Sequence, residues 1–309
     1  MVAPPGSPLE SEPGPGLEPP PPPSLGRRAL RLLVICLALV AAWYGLSYKR
    51  DWLYFYARQD TVARSLPELG AALGRTGLNL QTLGQVSYGA SNLPLWVLRK
   101  PALNPAAPTI CLMAGIHGNE PAGVEALLAL LHDLAARPAA FAAHRYVVVP
   151  LANPWGWERD LRHNGDNRDT ARQFVSGSAQ EAMLLKNLFT AERCDLLVDL
   201  HEDRFHNGFY LLAYGESNMA GVENTLKTIE TTTGVSRASR GDHGVLAFQS
   251  AEFDGIVLTT APLWARMHGA AHAFVVETHD ALPLAQRVAI HRLAIEGLSR
   301  LLTPETSGQ

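Results

Sequence analysis

The chain has 309 residues, 47% of them apolar and 18% charged, with a formal net charge of −3. That is enough apolar material for one large domain or at most two. The charge balance gives no basic footprint for nucleic acid, and aromatics at 7% leave little for a base-stacking surface. Cys36, Cys111 and Cys194 are too few for a disulfide scaffold and show no C-x-x-C zinc spacing.

In chain order, residues 1–28 are rich in Pro, Gly, Ser and Glu, with Pro20 to Pro23 in a row. Such a tail cannot bury enough apolar surface to offset its ordering entropy, so it is expected to be disordered. Arg27, Arg28 and Arg31 precede an uncharged run over 32–48, LLVICLALVAAWYGLSY. At about 1.5 Å per residue such a run spans roughly 25 Å, the lower limit for a bilayer. Trp43, Tyr44, Tyr48, Trp52, Tyr54 and Tyr56, interleaved with Lys49 and Arg50, resemble an interfacial belt. The expectation is a single-pass anchor over 29–48 with the body outside the cytoplasm. A cleaved signal sequence and a buried core helix are the competing readings.

The body, 60–309, alternates strands and helices. Apolar runs bounded by turn residues lie at 95–98, 109–114, 146–150, 196–200, 209–213 and 273–277, and helical patterns at 121–136, 179–190, 219–232 and 284–302. This alternation predicts a single three-layer α/β/α domain around a mostly parallel mixed sheet.

In open α/β sheets, ligands gather outside the carboxyl ends of the strands. The run TICLMA leads into Gly115-Ile116-His117-Gly118-Asn119-Glu120, LLVDL ends in His201-Glu202-Asp203, and AFVV ends in Glu277. His117 and Glu120 are three apart at a turn into a helix that Pro121 can start. With His201 they make two histidines and one carboxylate, the set that holds one catalytic zinc ion with a position left for water. Such an ion lowers the pKa of bound water to about 7 and polarises a carbonyl. Glu277 is positioned to take and return the proton. Between these strands lie Asn153-Pro154-Trp155-Gly156 and the polar stretch from Arg162 to Arg168. An Arg paired with an Asn can hold a carboxylate by forked hydrogen bonds.

The ordered set His117-x-x-Glu120, Asn153-Pro-x-Gly156, Arg162, Asn167-Arg168, His201 and Glu277 resembles the zinc carboxypeptidases of the carboxypeptidase A type over about residues 85–303. The resemblance implies that His117, Glu120 and His201 bind zinc and that Glu277 is the general base. It implies further that Arg162 polarises the scissile carbonyl and that Asn167 and Arg168 grip a substrate carboxylate. Two departures stand out: no tyrosine follows Tyr214 to cap the substrate, and the segment 164–168 is short. His117-Gly118-Asn119-Glu120 also looks like the motif of the related succinylglutamate desuccinylases and aspartoacylases. Only 32 residues follow Glu277, which points to the carboxypeptidase side.

The expected activity is hydrolysis of a peptide or amide bond next to a free carboxylate. The alternatives are an N-acyl amino acid deacylase or a carboxylate-binding pseudo-peptidase. Nucleic acid is not an expected partner, the chain is expected to be a monomer, and the membrane is met through the N-terminal helix. His163, His206, His243, His268, His272 and His279 are expected at the surface or around the site. Asp199 is expected to face away from His201 and Cys111 and Cys194 to be buried thiols, while an orienting role for Glu202 and Asp203 toward His201 or Arg162 is the less favoured reading.

Overall fold

The computed structural model describes residues 25–48, 62, 64–215, 218–239, 245–248 and 260–302. The tail over 1–24, Trp52, Tyr54, Tyr56 and His243 lie outside the described residues. The chain divides into two compact units, Met1–Arg50 and Asp51–Gln309.

The first unit holds one helix, α1 (Leu25–Tyr48). Its described side chains from Leu30 to Trp43 are exposed, including Leu32, Leu33, Val34, Ile35, Leu37, Leu39 and Val40. Among the described residues no helix is long and apolar enough to cross a membrane. The anchor expected over 29–48 is thus a helix whose spanning role is not shown.

In the second unit, an eight-stranded sheet runs in the order β1-β2-β4-β3-β5-β8-β6-β7. Its strands are β1 (Asn79–Tyr88), β2 (Ser91–Lys100), β3 (Thr109–Ala114), β4 (Arg145–Val149), β5 (Leu196–Asp203), β6 (Phe209–Tyr214), β7 (Val245–Phe248) and β8 (His272–His279). The centre β4-β3-β5-β8 is parallel, as its continuous apolar runs require for burial on both faces. The pairs β1–β2, β2–β4 and β6–β8 are antiparallel, so the sheet is mixed.

One face is covered by α3 (Pro121–Ala136), α6 (Met219–Thr233) and α8 (Leu284–Ser299), the other by α5 (Gln180–Glu192) and α7 (Ala261–Met267). Leu112, Val148, Val198 and Val276 point into the first core; Met113, Val149 and Leu197 point into the second. This is the three-layer arrangement expected. Two short helices, α2 (Leu66–Gly74) and α4 (Pro154–Arg159), start on a side-chain cap: Ser65 Oγ accepts from Glu68 N at 3.3 Å, and Asn153 Oδ1 from Gly156 N at 2.9 Å.

Cys111 on β3 and Cys194 just before β5 are joined by a disulfide, with Cα atoms 5.6 Å apart. This corrects the expectation of two buried thiols. β3 and β5 are parallel neighbours, with Cys111 opposite Leu197, so the two cysteines meet on one face of the sheet.

Candidate metal centre

The register aligns the carriers of the site. His201 on β5 lies directly opposite Glu277 on β8, and Glu277 lies opposite Tyr210 on β6. β3 ends beside Leu200 and turns outward at Gly115, whose φ of +64° suits a residue without a Cβ. The chain then folds back, with Glu120 N donating to His117 O at 3.1 Å, before Pro121 opens α3.

His117, Glu120 and His201 converge, each buried, with one candidate ligand atom apiece within 4.8 Å of the others. His117 Nδ1 lies 2.7 Å from Glu120 Oε1 and 3.2 Å from His201 Nδ1; His201 Nδ1 lies 3.0 Å from Glu120 Oε2. Behind them, His117 Nε2 meets Asp169 Oδ1 at 3.1 Å and His201 Nε2 meets Asp199 Oδ2 at 3.0 Å. Each imidazole thus turns one nitrogen inward and rests the other on a carboxylate, the support that orients metal-binding histidines. Two ring nitrogens facing each other across a buried carboxylate form a hole for a cation, so the donor set fits a metal ion.

The electrostatics agree. Burial would lower the His201 pKa, yet Asp199 and Glu120 win and hold it well above the usual imidazole value. Burial would raise Glu120, yet His117 and His201 hold it well below the carboxylate range. Asp169 is likewise held low against its burial, by His117, Arg162 and Arg172. Glu277 goes the other way: burial pushes it up to about 8, His201 and Arg162 oppose that, and Glu120 and Asp203 add to it. Its Oε2 is buried without a hydrogen-bond partner among the described residues.

Arg162 joins the cluster, its Nη1 3.3 Å from Glu120 Oε1 and its Nη2 3.0 Å from Asp169 Oδ2. The fully buried Asn153 holds both loops, donating to Arg162 O at 3.2 Å and Ile116 O at 3.4 Å. Asn167 and Arg168 sit apart, on an exposed turn. Asn167, at φ +56°, contacts His163 Nδ1 at 3.1 Å, and Arg168 Nη1 donates to Ser178 Oγ at 2.9 Å. Buried Asn164 shapes that turn, its Oδ1 accepting from Arg168 N at 3.0 Å and its amide reaching Tyr88 and Glu181.

One expectation is corrected here. Asp199 faces His201, because residues two apart on a strand share a face. Asp203 contacts Phe205 N, His206 and Tyr210 OH, with neither His201 nor Arg162 among these partners. Glu202 serves Glu120 instead, its backbone N–H donating to Glu120 Oε2 at 3.1 Å. The Glu202 carboxylate caps the first turn of α3 at Ala122 N (2.6 Å) and pairs with buried Arg287 (2.6 Å). Asp169 carries no motif of its own in the sequence, whereas the D-x-H of Asp199 and His201 on a strand is a signal that could have been used.

Comparison with known proteins gives three kinds of match. The succinylglutamate desuccinylase/aspartoacylase catalytic domain family matches residues 106–260. "Probable carboxypeptidase 2" of Arthroderma benhamiae is 38% identical over 97 residues, 30% of this chain and 18% of that protein. Carboxypeptidase D of Rattus norvegicus is 32% identical over 141 residues, 40% of this chain and 10% of that protein. The chain therefore spans under a fifth of the length of these curated relatives. Among solved structures, a metallopeptidase candidate from Shewanella amazonensis superposes with a TM-score of 0.65 at 24% identity, covering 78% of this chain and 95% of its own. A metallo-carboxypeptidase from Pseudomonas aeruginosa in complex with (2-guanidinoethylmercapto)succinic acid gives 0.59 at 18% identity, over 77% and 68%. At these identities the superpositions speak for the fold.

Proposed function

Because the chain belongs to the succinylglutamate desuccinylase/aspartoacylase catalytic domain family, we propose that it is a metallohydrolase cleaving a peptide or amide bond beside a free carboxylate. The observation that carries this reading is the buried His117, Glu120 and His201 cluster with its two outer carboxylates.

The residues that would hold the ion are His117, Glu120 and His201, and zinc is the metal this donor set favours. Zinc there would supply Lewis acidity for the carbonyl and an acidified water. The rest is the chain's own work. Glu277, a carboxylate tuned upward and opposite His201, takes the proton of the attacking water and delivers it to the leaving nitrogen. Arg162, tied to Glu120 and Asp169, turns a guanidinium to the oxyanion that develops on the carbonyl. Asn167 and Arg168 receive the substrate carboxylate once Arg168 releases Ser178. The family match favours a second reading of the same machinery, removal of an acyl group from an N-acyl amino acid.

Location is a separate proposal. The exposed apolar side chains all round α1 are a face for lipid, so α1 attaches the chain to a membrane. The Cys111–Cys194 disulfide supports an oxidising compartment for the body.

The test is incubation of the full chain, loaded with zinc, with a mixture of peptides and N-acyl amino acids, followed by mass spectrometry. Release of single C-terminal residues supports the peptidase reading, and release of acyl groups supports the deacylase. Turnover should vanish with a chelator and fall about 10²- to 10⁴-fold in Glu277→Gln while metal content stays at one ion per chain. No product from any substrate returns the protein to a binding role.

A further inference from the structure

The segment that leads into α2 is fastened to the metal loop through one side chain, Arg64. Its Nη1 donates to Gly118 O at 2.5 Å, its Nη2 meets Asp160 Oδ1 at 2.6 Å, and its Cζ lies 4.8 Å from the centroid of the Trp157 ring. A planar guanidinium can serve two acceptors at once and still rest its face on an indole, which an ammonium cannot do. The side chain is 15% exposed, so these contacts form largely out of water. Val62, two residues earlier, packs against the first core.

All three partners belong to the frame of the site. Gly118 stands between His117 and Glu120, and the backbone there lies so close to Gly156 and Trp157 that no Cβ fits. Trp157 is on α4, and Asp160, at φ +53°, closes that helix just before Arg162. Arg64 therefore joins the loop that carries two ligands to the one that carries Arg162. The peptides on either side of His117 are held in matching ways: Ile116 O accepts from Asn153 Nδ2 at 3.4 Å, and Gly118 O accepts from Arg64. Asp160 neutralises the guanidinium, so Gly118 O gains a strong donor without an unopposed positive charge near a cation site.

We propose that Arg64 is a positioning residue of the metal centre, fixing the backbone between His117 and Glu120 and so the spacing of two of the three ligands. The inference rests on the metal-centre reading given above. A loop that must be ordered afresh at each binding event binds its ion more weakly. Partners that orient ligands from outside are worth about 10- to 100-fold in metal affinity. Arg64 lies 54 residues from Gly118 in sequence, beyond the reach of any local motif.

The test compares variants of the full chain for zinc affinity, by chelator competition at about pH 7. A second readout is the visible spectrum with cobalt(II) in place of zinc, which reports ligand geometry. Arg64→Met keeps an apolar stem on Trp157 and removes both charged contacts; it should lose about tenfold in zinc affinity and shift the cobalt bands. Arg64→Lys, which retains a charged donor for Gly118 O, should recover most of the affinity. Arg292→Met breaks a pair with Asp133 in the last turn of α3 and should change neither readout, so a general loss of stability is told apart from a loss of ligand spacing. Arg64→Gln repeats the comparison if Arg64→Met does not fold. Parent affinity with an unshifted spectrum in Arg64→Met, or an equal loss in Arg292→Met, would overturn the inference and leave the metal centre in place. A parent chain that takes up neither zinc nor cobalt would overturn the metal reading and the role of Arg64 with it.

Discussion

Glu277 and His201 face each other across two parallel strands, and their surroundings tune them in opposite senses. Burial raises the Glu277 carboxyl from 4.5 to about 8, so the folded, metal-free chain holds a proton there that the unfolded chain has lost above about pH 5. Stability therefore falls as pH rises from about 5 to 8. Glu277→Gln should raise the melting temperature of the chelated protein by a few degrees at pH 8 and by nothing at pH 4.5; a gain independent of pH would refute the account. His291 works in reverse. Burial first, then Arg287 and His201, push its pKa down to about 3, so it stays neutral in the fold while the unfolded chain takes up a proton below 6.5. Its contribution fades as pH falls below 6.5, and His291→Gln should flatten acid unfolding between pH 6 and 4. At the metal centre, the raised His201 pKa means that an arriving ion displaces a proton at neutral pH. Calorimetry in buffers of different ionisation enthalpy should show about one proton released per ion bound at pH 7.

At the scale of elements, the metal loop is held from below by helices rather than by the sheet alone. Glu202 bridges the first turn of α3 and Arg287 of α8, both partners 1% exposed at the side chain. Arg287→Met would leave the Glu202 carboxylate buried without its cation, at a cost of about 3–5 kcal/mol. Urea unfolding should show that loss, and Glu202→Gln combined with Arg287→Met should recover part of it. Gly118 is equally constrained, since a Cβ there would sit 2.0 Å from Gly156 C and 2.2 Å from Trp157 N. Gly118→Ala should cost metal affinity even where the fold survives, read by chelator competition. Much of this was legible in the sequence. His117, His201 and Glu277 interrupt or end apolar runs, where a polar residue has no packing reason to be, and Pro121 marks the start of α3. What stayed hidden depends on tertiary proximity. Nothing in the string places Asp169 against His117, and β1 escaped because its exposed edge position and the bulge between Thr82 and Gly84 erase alternation.

At the scale of the whole second unit, the disulfide ties the sheet centre together, and the proposed metal would add to that stabilisation. Chelation should lower the melting temperature in proportion to the logarithm of free metal, since only the folded chain assembles the three ligands. Breaking the Cys111–Cys194 bond frees a segment with a sequence separation of 83, worth about 4 kcal/mol in the chain-entropy account. Cys111→Ala with Cys194→Ala should lower the urea midpoint and steepen the slope, since the unfolded chain without the cross-link exposes more surface. The same bond turns the stretch between the two cysteines into a covalent ring. His117, Glu120, Asn153, Arg162, Asn167, Arg168 and Asp169 all lie on that ring, while His201 follows seven residues beyond its closure. A protease that nicks the exposed turn at Asp166 to Arg168 therefore gains a new pair of chain ends and releases no fragment. The nicked molecule keeps its mass on a gel until a reductant is added, because His117 and Glu120 on one side of the cut stay joined to His201 on the other through sulfur alone.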